Sequence, residues 1–150
     1  MKVRFFNPGL SYEKIQGEVL PEIERVLRTG KLILQEEVTE FEQRLADFVG
    51  VKYAVGLNSG TDALYLALKA LGVGPGDEVI TCSHTFVATV QVIELTGATP
   101  VLVDIDSNGL MDLEQVEESV TYKTKAVIPV HLTGNMVNLG RLYDILKQFH

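Results

Sequence analysis

The sequence has little of what stabilises small secreted or metal-binding modules. It contains a single cysteine, Cys82, which excludes an internal disulfide framework and a cysteine-rich zinc site. The three histidines, His84, His131 and His150, lack the i, i+4 spacing with which one helix face binds zinc. We therefore expect neither disulfides nor a bound metal.

Basic residues and long apolar runs are also scarce. The chain has 13 Lys and Arg against 20 Asp and Glu, a net charge of −7, and no basic run. This charge disfavours nucleic acid and anionic membranes as partners. No apolar run approaches the roughly 18 residues of a membrane span, and the first ten residues lack the apolar core of a signal peptide. A cytoplasmic protein is the simplest expectation.

What the sequence does have is the composition of a folded domain. Hydrophobic residues make up 46% of its 150 residues and charged residues 22%, which is typical of a chain with a buried core. Apolar spacing and glycine breaks predict helices over 12–29, 36–49, 62–71, 85–96, 112–120 and 138–149. Short apolar runs predict strands over 53–57, 78–81, 99–104 and 126–130.

This order of elements indicates an α/β fold. From residue 53 onward, strands and helices alternate, as in a mostly parallel sheet covered by helices on both faces. We interpret residues 53–150 as the first part of such a domain. Residues 1–52 form a helical arm that packs either on this sheet or on a partner chain.

A polar turn follows the first predicted strand and opens a helix. In Asn58–Asp62, Gly60 permits close approach of an anion to the backbone, and Thr61 supplies a hydroxyl. The first N–H groups of a helix point outward, so the turn is a candidate phosphate cradle. The alternative is an ordinary helix cap, because serine and threonine begin many helices. The turn is neither a GxGxxG nor a Walker sequence, which disfavours dinucleotide and ATP binding.

Two further motifs follow predicted strands. Phe86 in Ser83–Thr89 either stacks on a flat heteroaromatic ring or belongs to the core at a helix start. The segment His131–Asn135 offers an imidazole, a hydroxyl and an amide, or is only a connecting turn. Since carboxyl ends of parallel strands share one sheet edge, where ligands usually bind, all three motifs are candidates for one site.

Together these motifs make the chain resemble the DegT/DnrJ/EryC1/StrS family of sugar aminotransferases, which use pyridoxal 5′-phosphate (PLP). The matching stretches follow the family's order and cover nearly the whole chain. They are Thr29-Gly30 with Ile33–Val38 and Phe41-Glu42, Phe48–Ala54, Asn58–Leu64, Gly74–Ile80, Ser83–Thr89, Gly97–Pro100 and Pro129–Gly134. The resemblance implies the large domain of a three-layer, fold-type-I PLP-dependent transferase, incomplete in this chain.

The resemblance also implies roles for residues in the cofactor site. Gly60, Thr61 and the backbone N–H of Asp62 would bind the PLP phosphate. Phe86 would stack on the pyridine ring, which reverses the preference for a core position that local context alone favours.

Substrate contacts are implied for residues in two segments. Leu32 lies in the segment 30–35, which would face the nucleotide-sugar, often across a homodimer interface. His131, Thr133 and Asn135 would lie near the cofactor and the sugar. Many family members have an aromatic residue in place of Leu32, and Phe or Tyr in place of Thr133. These departures leave the identity of the sugar open.

Two residues that carry the chemistry in such enzymes have no counterpart here. A lysine forms the Schiff base with PLP, and an aspartate pairs with the pyridinium nitrogen. The chain has no Asp-x-Ala-Gln or Asp-x-Ala-His run, and no lysine stands five residues after a serine. We therefore expect both residues after position 150, and we interpret the chain as the amino-terminal portion of a longer enzyme. This piece alone is predicted to be inactive.

The expected activity is transfer of an amino group, commonly from glutamate, to a keto sugar on a nucleotide. Some relatives replace the lysine and act as PLP-dependent sugar dehydratases, and a chain without the lysine position leaves this alternative open. A third possibility is a non-catalytic binding or assembly module that binds phosphate compounds or pairs with a longer partner. A Rossmann-type dehydrogenase is disfavoured because the first strand lacks a glycine-rich fingerprint.

Overall fold

A computed structural model describes residues 5–149, which form two compact units divided between Gly56 and Leu57. The first unit contains helices α1 (Pro8–Thr29) and α2 (Glu36–Val49). The second contains α3 (Gly60–Ala70), β1 (Glu78–Cys82), α4 (Val87–Thr96), β2 (Thr99–Val103), α5 (Leu113–Ser119), β3 (Thr124–Ile128) and α6 (Leu139–Leu146).

The first unit is a pair of helices that end on glycine. Gly30 and Gly50 adopt φ values of +66° and +77° after α1 and α2, a left-handed conformation that is nearly free of strain only for glycine. Helix α1 begins four residues before the predicted Tyr12, because Pro8 fits the first helical turn, where no N–H bond is needed. Arg25 of α1 and Glu37 of α2 form an exposed ion pair at 3.1 Å.

The predicted strand over 53–57 is wrong. Residues 53–57 have no regular secondary structure, and Tyr53 and Val55 are 73% and 75% exposed. The Gly56 N–H donates to the Glu42 carboxylate at 2.6 Å rather than to a neighbouring strand. A strand is defined by its pairing, and no strand in the described residues pairs with this segment. The described sheet therefore has three strands, not the four expected.

In the second unit, β1 lies at the centre of a parallel sheet with the order β2-β1-β3. Four of its five residues are buried, as expected for a central strand covered on both faces. Pro100 lies in the edge strand β2, where its missing N–H costs little. Strand β3 ends at Ile128, before the predicted Val130, because Pro129 cannot donate to the ladder.

Helices cover both faces of the sheet, so the α/β expectation is confirmed. Alternate β1 side chains point to opposite faces. Ile80 and Cys82 pack in a cluster with residues of α5 and α6, including Val116 and Leu142. The opposite face carries a second cluster, formed with α3 and α4. It contains Leu68, Val73, Val79, Val92, Ile93 and Ala98.

Candidate functional site at the carboxyl edge of the sheet

Helix α3 begins with a reciprocal cap. The Ser59 Oγ accepts a hydrogen bond from the Asp62 N–H at 3.1 Å and donates to the Asp62 carboxylate at 2.9 Å. A serine with an acidic residue three positions later is a recognised helix-start signal. The sequence alone is compatible with a cradle or a cap in this turn and does not assign the cap to Ser59. The Asp62 carboxylate thus has a structural partner within the turn, and the Asp62 N–H, expected to bind the phosphate, instead donates to the Ser59 Oγ.

The first backbone N–H groups of α3 are available to a ligand. The first intrahelical bond runs from the Ala63 N–H to the Ser59 carbonyl at 3.0 Å. The N–H groups of Gly60 and Thr61 precede it, so they point out of the helix end. Gly60 does not have a left-handed φ, and a Cβ added there would meet no atom within 4 Å. Neither backbone conformation nor packing in the described structure explains a glycine at this position.

Helices α3 and α4 bring Gly60 and Phe86 to the same end of the fold. The two helices pack side by side and have similar lengths of 11 and 10 residues. Both carboxyl ends lie near the start of β1, because residues 71–77 connect α3 to β1 and a Cβ on Gly97 after α4 would lie 2.8 Å from the Cγ of Pro75 in that connection. Their amino ends therefore lie together at the opposite end. Since only four residues connect β1 to α4, that end is the carboxyl edge of β1.

Phe86 is exposed rather than a core residue. It is the residue immediately before α4, and 66% of its surface is accessible. Behind it, the Thr85 and Thr89 hydroxyls are hydrogen-bonded at 2.9 Å, and Thr89 is buried. An exposed aromatic ring beside the buried residues Ala88 and Thr89 of the first helical turn is suited to cover a flat ligand.

The loop after β3 lies at the same sheet edge, because all three strands are parallel. His131, Thr133 and Asn135 are all exposed. The Gly134 N–H donates to the His131 carbonyl at 3.1 Å, and Gly134 has a φ of +88°. The loop is thus a closed turn that presents its side chains outward.

Leu32 lies in the other unit, in the exposed connection between α1 and α2. Leu32, Ile33 and Leu34 are 63%, 78% and 83% exposed. Leu34 has a φ of +48°, a conformation that costs a residue other than glycine about 1–2 kcal/mol. This connection therefore displays three apolar side chains in succession on a strained backbone.

A concave region lies between α5 and α6, beside the last residues of the loop after β3. It encloses about 400 Å³ and is lined by residues that include Asp106, Met136 and Arg141. Hydrogen bonds from the backbone N–H groups of Leu110 and Asn108 help to hold the pKa of Asp106 below its usual range. Its carboxylate therefore stabilises a turn.

Cys82 and the acidic groups provide no further reactive site. Burial raises the pKa of the Cys82 thiol, which donates to the His84 carbonyl at 3.4 Å. Within residues 5–149, no three His, Cys, Asp or Glu side chains are grouped so that they could hold a metal ion.

Comparison with known proteins decides the family. The model of the DegT/DnrJ/EryC1/StrS aminotransferase family matches residues 13–150. The chain belongs to this family. The resemblance inferred from the motifs is thereby confirmed, and so is the fold class.

Relatives in the DegT/DnrJ/EryC1/StrS family match along almost the whole chain. UDP-2-acetamido-2-deoxy-3-oxo-D-glucuronate aminotransferase of Pseudomonas aeruginosa is 47% identical over 148 residues, which are 98% of this chain and 41% of that enzyme. DesV of Streptomyces venezuelae, solved with a ketimine intermediate, superposes with a TM-score of 0.94 at 40% identity, covering 98% of this chain and 40% of DesV. NtdA of Bacillus subtilis, solved with bound cofactor PMP, superposes with a TM-score of 0.87 at 33% identity, covering 91% of this chain and 32% of NtdA.

The chain thus spans about two fifths of the length of these curated relatives. The family relationship extends over both units, from residue 13 to residue 150. Among the described helices, none is long and apolar enough to cross a bilayer.

Proposed function

We propose that this chain forms the part of a PLP-dependent sugar aminotransferase that binds the cofactor phosphate and covers the cofactor ring. The whole protein would transfer an amino group from an amino acid such as glutamate to a keto sugar on a nucleotide. The observation that carries the proposal is the pairing of an unhindered glycine at a helix start with an exposed phenylalanine at the same sheet edge.

The amino end of α3 fits the phosphate of PLP. The N–H groups of Gly60 and Thr61 lack intrahelical partners, and the positive end of the helix dipole favours an anion there. The open space where a Cβ of Gly60 would lie allows a phosphate oxygen to approach the backbone closely. The Asp62 carboxylate is part of the helix cap, because it accepts the Ser59 hydroxyl at 2.9 Å.

Phe86 fits the face of the pyridine ring. Its exposed ring lies at the edge where α3 begins, and a stacked pair of aromatic rings contributes about 0.5–1.5 kcal/mol beyond the burial of surface. The phosphate site and Phe86 would together fix the position and the plane of the cofactor.

We propose that two segments contact the nucleotide-sugar. In the loop 131–135, Thr133 and Asn135 supply polar groups beside the cofactor. The segment with Leu32 contributes an apolar surface, which in this family often faces the nucleotide-sugar across a homodimer interface. The name of the Pseudomonas relative describes an oxo sugar on UDP, which supports a keto sugar as the amino acceptor. Thr133 and Leu32 are smaller than the aromatic residues common at these positions, so they would shape the choice of sugar.

The residues of this chain bind and orient but do not move the proton. PLP, when bound, supplies an electron sink for transfer of the amino group. A lysine that carries the proton and an aspartate that pairs with the ring nitrogen would come from residues after position 150. This 150-residue chain alone would therefore be inactive.

The arm also supports a homodimer. Large apolar side chains are exposed on the first unit, among them Phe41 and Phe48 at 57% and 89%. Phe41, Leu45 and Phe48 follow helical spacing on one face of α2, and exposed apolar side chains grouped in this way are typical of an interface. We propose a cytoplasmic homodimer, which light scattering on the full-length protein would test.

The decisive experiment for the function uses the full-length protein. Incubation with PLP, glutamate and a nucleotide-linked keto sugar is expected to yield an amino sugar, detected by mass spectrometry as replacement of the keto oxygen by an amino group. Formation of 2-oxoglutarate in equal amount is the control for the donor. Release of water without incorporation of nitrogen would refute amination and indicate the dehydratase.

A further inference from the structure

One residue holds the loop after β3 at two points. The His131 carbonyl accepts the Gly134 N–H at 3.1 Å, and the His131 ring accepts the Val137 N–H through Nδ1 at 3.3 Å. Between these bonds the loop exposes Leu132, Thr133 and Met136. The conformation of the loop backbone thus depends on two hydrogen bonds accepted by His131.

The second bond also defines the state of the ring. A backbone N–H only donates, so Nδ1 must carry a free lone pair and the ring proton must be on Nε2. Val137 is 1% exposed and packs in the core cluster with Met111 and Leu142. Its N–H is partly buried beside the loop, and loss of the acceptor would leave it without this partner. Asn138 then caps α6 by accepting the Arg141 N–H at 3.0 Å.

We propose that His131 is a positioning residue, whose Nδ1 holds the 131–137 loop in the shape that presents Thr133 and Asn135 to the nucleotide-sugar. The histidine acts through the backbone and does not itself need to contact the substrate. The kinetic part of this inference rests on the proposed aminotransferase function, whereas the hydrogen bond at Val137 can be tested without it.

The test compares two amide replacements of similar polarity in the full-length protein. The amide oxygen of asparagine reaches the place of Nδ1, and that of glutamine the place of Nε2. In His131→Asn the KM for the nucleotide-sugar should stay within about twofold of wild type. In His131→Gln and His131→Ala it should rise about tenfold, the loss expected for one partly buried hydrogen bond. In all three variants kcat should change by less than about threefold.

Two kinetic results would overturn the proposal. If His131→Gln keeps the wild-type KM while His131→Asn loses it, Nε2 is the group that matters and the ring contacts the substrate. If the loss appears in kcat with KM unchanged, His131 serves the reaction rather than the loop. If His131→Ala does not fold, the pair of amide variants still decides between the outcomes.

A spectroscopic measurement separates this inference from the proposed function. In protein labelled with ¹⁵N-histidine, the resonances lost in His131→Asn belong to His131. In the uncharged ring they should report a proton on Nε2 and a hydrogen-bonded Nδ1. A proton on Nδ1 would refute the inference even if the enzyme is an aminotransferase. The expected tautomer would support the hydrogen bond even if no amino transfer is found.

Discussion

Replacement of Gly60 by alanine separates what the fold requires from what a ligand requires. Gly60 is the first residue of α3, lacks a left-handed φ, and has open space where a Cβ would lie. Alanine is favoured over glycine in helices by up to about 1 kcal/mol, largely because it restricts the unfolded chain. The apoprotein of Gly60→Ala should therefore have the same free energy of unfolding as the wild-type apoprotein, or one that is higher by up to about 1 kcal/mol.

The same methyl group should weaken PLP binding. It would occupy the space in which a phosphate oxygen approaches the N–H groups of Gly60 and Thr61. Loss of one hydrogen bond to a charged group costs about 1.5–3 kcal/mol. Because 1.4 kcal/mol corresponds to a factor of ten, the Kd for PLP should rise at least about tenfold.

Denaturant unfolding of the apoprotein and a fluorescence titration with PLP measure the two quantities on the full-length protein. Gly17→Ala is the matched control, because Gly17 lies within α1 and its added Cβ would also meet nothing within 4 Å. The control should gain stability without a change in PLP affinity. Wild-type affinity in Gly60→Ala would refute the phosphate site, and a destabilised apoprotein would show that the fold itself needs this glycine.

Three further predictions follow from packing and exposure. Gly97→Ala should lower the free energy of unfolding by about 2–4 kcal/mol, because Gly97 has a φ of +89° and its Cβ would lie 2.8 Å from Pro75. In the control Gly72→Ala, the φ is +72° but the space is open, so the loss should be limited to the cost of the left-handed backbone. Equal losses of unfolding free energy in the two variants would contradict this reasoning. Phe86→Ala should change stability by less than about 0.5 kcal/mol, because the side chain is 66% exposed, yet release PLP faster during dialysis; retention at the wild-type rate would exclude stacking. Cys82 should react with a thiol reagent at pH 8 far more slowly in the folded than in the unfolded protein, because burial raises the pKa of the thiol and blocks access of the reagent. Equal reaction rates in the two states would refute the buried position.

Features that depend on neighbouring residues in the chain were predictable from the sequence. Helix α2 has its predicted bounds, Glu36–Val49, and Gly30 and Gly97 end their helices in the left-handed conformation. Strand β1 begins at the predicted Glu78 and ends at Cys82, one residue later than predicted. Each of these signals arises within a few residues, so no knowledge of distant contacts was needed.

Features that depend on pairing were not predictable. The apolar run Ala126–Val130 indicated a strand, but the register with β1 begins it at Thr124, and Pro129 ends it. The segment 53–57 has the composition of a strand, yet the described residues give it no partner in the sheet. Strand composition is thus a condition for pairing, and the pairing itself depends on residues distant in the chain.

The candidate site is recognisable by residues that the fold does not require. Local context favoured a buried Phe86 and an ordinary cap at Ser59–Asp62, and both alternatives were compatible with the sequence. In the structure, a phenylalanine is exposed and a glycine has neither a left-handed φ nor a close neighbour, both at the same sheet edge. Residues that depart from local preference without a structural reason are expected at sites where a bound ligand contacts them. His131 is the opposite case, since the hydrogen bond to Val137 gives it a structural reason. Replacement of Gly60 or Phe86, which are proposed to touch the cofactor, should therefore leave the fold intact. His131, which is proposed to hold the loop, should be replaceable only by a side chain that places a hydrogen-bond acceptor where Nδ1 lies.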